Sequence, residues 1–204
     1  MVEPLAVLAL IVLVVWLVVV AGVRTYVGYR QTGTVTTLVR PETGSPAWWA
    51  KLISSGGVVL AFAAPIAELL GLAPIGALDH QAVRYAGLAL AIVGIASSLA
   101  AQLAMGDSWR GDVDPNARTR LVTDGPFRLV RNPILTCTAV TVVGLGLMVP
   151  NVLSVLMLAA LAVSMQVQVR LVEESYLMRV HGDAYRRYAS RTGRYLPGIG
   201  RLHT

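Results

Sequence analysis

Two clusters of polar residues interrupt a chain that is otherwise 55% hydrophobic and only 14% charged. The first runs from Arg120 to Thr136, RLVTDGPFRLVRNPILT, and lies at the threshold of a long uncharged segment. Asp124-Gly125-Pro126 is a turn signal. Asn132 followed by Pro133 reads as an N-cap and a first helical residue, because proline has no amide hydrogen to leave unsatisfied. Free amides at such a helix start can hold a carboxylate, with Arg128 and Arg131 close by. The second cluster runs from Val169 to Tyr188 and carries Glu173-Glu174, with Arg170 three and four residues earlier on the same helix. On spacing alone this pair describes a solvated helix carrying an exposed ion pair, an arrangement of little energetic weight.

The elements that must carry these residues are membrane spans. A mean hydropathy of +0.65 is too high for an ordinary soluble domain. Crossing a hydrocarbon core of roughly 30 Å takes about 20 apolar residues, and five stretches qualify: Pro4–Val23, Leu52–Ala73, Ala82–Met105, Pro133–Val149 and Val152–Val169. The last two, parted by Pro150-Asn151, form a tight helical hairpin. The first lacks a basic leader and reads as a retained span rather than a cleaved signal. No break follows Val169, so helix is expected to continue to about Val180 and stop at Gly182. At ~1.5 Å per residue that helix is roughly 43 Å long, and its final turns stand clear of the bilayer.

Sixteen of the seventeen cations lie in the Arg24–Lys51 loop, the Gly106–Asn132 loop and the tail after Val169; the exception is Arg84. By the positive-inside rule that side is cytoplasmic, the N-terminus is outside and the C-terminus inside. The net charge of +6 then faces lipid headgroups, and no nucleic-acid-binding motif accompanies it. Glu68 is the one acid within a span and lies near its outer end, where snorkelling to the interface is expected. Gly144-Leu145-Gly146 falls mid-span and reads as helix packing. Cys137, the single cysteine, reads as a small buried hydrophobe and excludes an intrachain disulfide.

Taken together, Leu121-Val122-Thr123-Asp124-Gly125-Pro126-Phe127, Arg131-Asn132-Pro133-Ile134-Leu135, Glu173-Glu174 and Gly182-Asp183-Ala184-Tyr185-Arg186-Arg187-Tyr188 resemble, in order, the motifs of the isoprenylcysteine carboxyl methyltransferase family. That family is in turn similar to membrane phospholipid methyltransferases. The resemblance covers the C-terminal ~40% of the chain, a share read directly off these positions. It departs from the family pattern at Asn132, where histidine is usual, and at Phe127 and Leu135, where tyrosine is usual.

The resemblance implies an S-adenosylmethionine site contacted by Thr119, Arg120, Leu121, Val122, Phe127, Asn132, Pro133, Ile134, Leu135 and Glu173. It implies Arg131, Glu173, Glu174 and Arg170 as the groups that carry catalysis. Glu173 would pair with the donor's ammonium, and Glu174 would mainly support it. Arg131 or the span-four amides would face the donor carboxylate. A substrate-contacting arginine of the family falls on Val169, one position from Arg170.

The expected protein is therefore an all-α, five-span membrane protein with a cytoplasmic cofactor pocket. That pocket is formed by the loop between spans three and four, the extension of span five and the tail. The chain divides into a three-span region, 1–105, and a methyltransferase-like region, 106–204, within one structural domain. The expected activity is methyl transfer from S-adenosylmethionine to a lipophilic acceptor, leaving S-adenosylhomocysteine, in a bacterial plasma membrane. The acceptor is an isoprenoid, fatty or prenylcysteine-type carboxylate, or a lipid amine. Membrane lipids are the other partners, and neither metal nor nucleic acid is expected. A nicotinamide-dependent membrane reductase and a non-catalytic lipid-binding protein remain the alternatives.

Topology is open to a direct test. With Cys137 replaced, cysteines placed in Gly106–Asn132 should resist an impermeant thiol reagent applied to intact cells. Labelling from outside would overturn the charge-based orientation.

Overall fold

The computed structural model describes residues 3–32, 41–105 and 121–202. These form seven α-helices: α1 (Glu3–Thr32), α2 (Pro46–Leu69), α3 (Gln81–Met105), α4 (Pro133–Met148), α5 (Val152–Val167), α6 (Glu174–His181) and α7 (Asp183–Arg191). Three helical stretches are long and apolar enough to cross a membrane: Pro46–Leu69, Gln81–Ala104 and the joined run Val152–His181. Pro4–Val20 and Pro133–Met148 are shorter apolar helices.

Side chains at helical spacing build the core. Ala9, Val12, Leu13 and Trp16 line one face of α1 and pack with Ala61 of α2, Ala91 of α3, and Val142 and Leu145 of α4. The closest approach is between α3 and α4, which run antiparallel. A Cβ added at Gly87 would lie 2.7 Å from the Gly144 carbonyl and the Met148 amide, and one at Gly94 would strike Thr141. Without a hydrophobic force to draw helices together in lipid, small residues allow the backbone contact that holds such a pair. α2 runs against α5 in the same antiparallel sense, with the Ser164 hydroxyl donating to the Ala50 carbonyl at 2.9 Å.

α2 ends four residues before the end of its apolar run. Gly71, at φ +99, reverses the chain, its amide bonding the Glu68 carbonyl while the Leu72 amide returns to Ala67. This pairing satisfies the last carbonyls of the helix in the Schellman manner. The α4–α5 turn is locked by Asn151, which is fully buried. Its Oδ1 accepts from the Leu153 and Ser154 amides, and its Nδ2 donates to the Ala64 carbonyl.

Glu68 does not snorkel. It is buried and paired with Arg84 at 2.6 Å, while Arg84 also reaches Asp79 at 2.8 Å and the Met148 carbonyl at 3.0 Å. A buried guanidinium within reach outweighs the gain from hydrating the carboxylate, because each charge compensates the other where water is excluded. The lone cation on the minority side and the lone acid within a span thus join α2, α3 and α4 at one end of the bundle.

Glu68→Leu leaves Arg84 buried with only the partly exposed Asp79. It should cost on the order of 3 kcal/mol of stability, read as a lower unfolding midpoint in detergent. Combining it with Arg84→Met should recover most of that loss. An unchanged midpoint in the single variant would show that the pair contributes nothing.

Candidate active site

At the opposite end of the bundle the chain between α3 and α4 meets the tail. Gly125, at φ +59, opens a 3-10 turn over Gly125–Arg128 and delivers Phe127 to a buried position. α7 holds that turn, since the Tyr188 hydroxyl donates to the Phe127 carbonyl at 2.7 Å. Two residues on, Val130 bridges Gly193 in parallel. The Arg131 amide bonds the Gly193 carbonyl at 2.8 Å, and the Asn132 amide bonds the Arg194 carbonyl at 3.2 Å. Gly193 is required there: a Cβ would collide with the Leu196 carbonyl oxygen.

Arg131 is buried and committed to the tail. Its Nη1 donates to the Ala189 and Thr192 carbonyls at 2.9 and 2.7 Å, and its Nη2 donates to Glu174 at 2.7 Å and to the Gly200 carbonyl at 3.1 Å. It thereby satisfies carbonyls at the C-terminal end of α7, where a cation is favoured. Glu174 also receives a two-point contact from Arg194, Nε to Oε1 at 2.7 Å and Nη2 to Oε2 at 2.9 Å. One carboxylate is therefore held by two guanidiniums. Tyr185 lies against this knot, and burial, followed by the Glu174 charge, pushes its hydroxyl up to about 12.

Glu173 has different surroundings. Between α5 and α6 the helix widens into a π segment, Gln168–Glu173, before returning to α geometry. The Gln168 amide donates to Glu173 Oε1 at 3.2 Å, and among the described residues no cation pairs with that carboxylate. Arg170 is exposed and pairs with neither glutamate, contrary to its i+3 and i+4 spacing. The π segment turns Glu173, three positions on, away from Arg170, and Glu174, four positions on, is held by Arg131 and Arg194 instead.

Asn132 occupies the cap position of α4 but does not cap it with its side chain. Its Nδ2 donates instead to the Arg194 carbonyl at 3.1 Å. Pro133 has no amide hydrogen, and the Ile134 and Leu135 amides precede the first intrahelical bond, from the Thr136 amide to the Asn132 carbonyl. These two amides are the free donors at the helix start.

An apolar groove of about 440 Å³ opens between α4 and α5 next to this assembly. Val140, Val143, Leu158, Leu161 and Met165 line it, and Tyr195 closes its polar end. The Thr136 hydroxyl lies 2.9 Å from the Tyr195 carbonyl, and the Tyr195 hydroxyl donates to the Met165 carbonyl at 3.1 Å. Burial and the Glu173 charge push that phenol up to about 12.

The structure thus ties Phe127, Arg131, Asn132 and Glu174 into one hydrogen-bonded assembly, with Pro133, Ile134 and Leu135 at the start of the helix it anchors. Leu121 and Val122 are half-buried. Thr119 and Arg120 lie outside the described residues. Sequence reasoning missed Gln168, Gly193, Arg194 and Tyr195. The Gly193-Arg194-Tyr195 run, just past a helix rich in arginine, was the available signal.

Glu174→Gln faces the buried Arg131 and the half-buried Arg194 with a neutral amide. It should lower stability on the order of 3 kcal/mol, whereas Glu173→Gln should leave the melting temperature near that of the parent. Equal melting of the two variants would remove the structural distinction between the glutamates.

The phospholipid methyltransferase family model matches residues 83–184, half of the chain. A solved structure of the eukaryotic intramembrane Ras methyltransferase ICMT (isoprenylcysteine carboxyl methyltransferase), without a monobody, superposes with a TM-score of 0.56 at 20% identity. The match covers 88% of this chain and 63% of that one, so this chain spans less than two thirds of its neighbour's length. No curated protein matches at comparable significance. The chain belongs to the phospholipid methyltransferase family and shares the fold of the isoprenylcysteine carboxyl methyltransferase.

Proposed function

We propose that this protein transfers a methyl group from S-adenosylmethionine to a lipophilic acceptor at the cytoplasmic face of the membrane. The observation that carries the reading is the unequal treatment of the two glutamates. Glu174 is neutralised by Arg131 and Arg194, while the Glu173 carboxyl has only a neutral amide beside it, and burial pushes its pKa up to about 7. A carboxylate in that state suits a ligand cation, and the donor's ammonium supplies one. The free Ile134 and Leu135 amides suit the donor's carboxylate at a helix N-terminus. Phe127 offers an aromatic face for the adenosyl group, and Leu121, Val122, Thr119 and Arg120 complete the contacts that the family resemblance implies.

When bound, S-adenosylmethionine supplies an electrophilic methyl group on a sulfonium. The protein's part is alignment: Glu173 and the α4 amides hold the two ends of the amino-acid moiety, so the methyl group points along a fixed line. The groove between α4 and α5 seats the acceptor's hydrocarbon, and its polar end, at Thr136 and Tyr195, adjoins the α4 start. Arg170 follows Gln166, a groove residue, four positions on, and an anionic acceptor head would meet it there. A carboxylate acceptor needs no deprotonation at neutral pH, so alignment and exclusion of water suffice for the transfer. Arg131 serves this site by positioning: its bonds are taken by the tail and Glu174, and it holds the start of α4 against both.

Calorimetry of the detergent-solubilised protein tests the reading. It should give heat with S-adenosylmethionine and S-adenosylhomocysteine and none with NADPH. Glu173→Gln should weaken both adenosyl ligands about ten- to hundred-fold, the worth of one charge-assisted hydrogen bond. Binding of NADPH alone would favour a reductase, and unchanged affinity in Glu173→Gln would return that residue to a solvated helix face.

A further inference from the structure

Gln168 and Glu173 are five residues apart, and on an α-helix residues at that spacing point about 140° away from each other. Here they touch, with Gln168 Nε2 3.2 Å from Glu173 Oε1. The contact exists because the chain from Gln168 to Glu173 forms a single π segment, flanked by α-helix on both sides. In a π turn the i→i+5 relation that bonds the backbone also stacks the two side chains. Such a turn strains the helix and is seldom kept without a use; this one begins at Gln168 and ends at Glu173.

We infer that Gln168 is a positioning residue that aims Glu173 at the cationic end of the adenosyl ligand, an inference that rests on the function proposed above. The choice of glutamine has a physical consequence. An arginine or lysine at this position would orient the carboxylate but also neutralise it, as Arg131 and Arg194 do to Glu174. A neutral amide fixes one carboxylate oxygen and leaves the negative charge to the ligand. Among the described residues Glu173 Oε2 takes no hydrogen bond, which leaves it for an ammonium. The π segment also begins directly after Val167, the last residue of α5, so the site's geometry is set where the apolar span ends.

The test compares S-adenosylhomocysteine with 5′-methylthioadenosine, which shares the adenosyl and thioether groups but has no ammonium. Binding of both is titrated in the parent, Gln168→Met, Gln168→Lys, Glu173→Gln and the double variant Gln168→Met with Glu173→Gln. Gln168→Met should weaken S-adenosylhomocysteine about ten-fold and leave methylthioadenosine unchanged. Gln168→Lys, which adds a competing cation, should weaken S-adenosylhomocysteine further. In the Glu173→Gln background Gln168→Met should have no additional effect, as expected for a residue acting through that carboxylate. Equal weakening of both ligands, full additivity in the double variant, or a lysine variant that binds as well as the parent would each overturn the inference. A parent that binds while Gln168→Met binds S-adenosylhomocysteine equally well overturns this inference alone. A parent that binds neither ligand overturns it together with the function it rests on.

Discussion

The arrangement of the site end depends on one carboxylate shared by two guanidiniums. Arg131 comes from the residue before the α4 cap, Arg194 from the tail beyond α7, and Glu174 from the first residue of α6. No two of these elements are neighbours in the chain, and their backbones meet only through short bridges at Val130–Gly193 and the two bonds that follow. Two buried charges and a half-buried one are tolerated because the carboxylate accepts from both arginines and Arg131 Nη1 and Nη2 reach carbonyls of the tail. This leaves only the Arg131 Nε without a partner among the described residues. Withdraw the carboxylate and the buried Arg131 faces a second cation, Arg194, with nothing between them. The same network frees Glu173, because both nearby guanidiniums are already taken.

The far end of the bundle uses related chemistry for a different purpose. Glu68, Arg84 and Asp79 join α2 to α3, and Arg84 also reaches the last carbonyl of α4. Between the two ends, α3 and α4 touch backbone to backbone through Gly87, Gly94 and Gly144. Close packing along the middle and polar ties at both ends leave α4 with little freedom to slide or rotate. A helix whose first turn is proposed to hold a ligand requires that rigidity, since its free amides are useful only when their direction is fixed.

Much of this was legible in local sequence. The apolar runs, the Pro150-Asn151 turn, the Gly125-Pro126 turn and the small residues of α4 follow from spacing and backbone preference, which act over a few residues. The motif order also carried the family. What escaped was set at long range. Glu68 was assigned to the interface because its partner lies sixteen residues away beyond a turn. Asn132 was read as a side-chain cap, yet its amide donates to Arg194, sixty-two residues on. The π segment was invisible for another reason: Gln168–Glu173 has an ordinary helical composition, and the extra residue per turn changes the register without changing the hydrophobic pattern.

That change of register gives adjacent identical residues different work. On a uniform α-helix Arg170 would sit within reach of both glutamates, and the three would form a surface ion pair of little consequence. The wider turn swings Glu173 away from Arg170 and brings Gln168 against it, while Glu174 begins a regular helix and is taken up by Arg131 and Arg194. Glu174 is then anchored by charges from the protein, and Glu173 is left as a carboxyl that burial pushes up to about 7 and that no protein cation pairs among the described residues. The groove between α4 and α5 ends beside the same turn, at Met165, Gln166 and Tyr195. In the function we propose, a water-soluble cationic ligand and a hydrocarbon chain approach one point from different phases, and the transition from α to π helix sets where they meet.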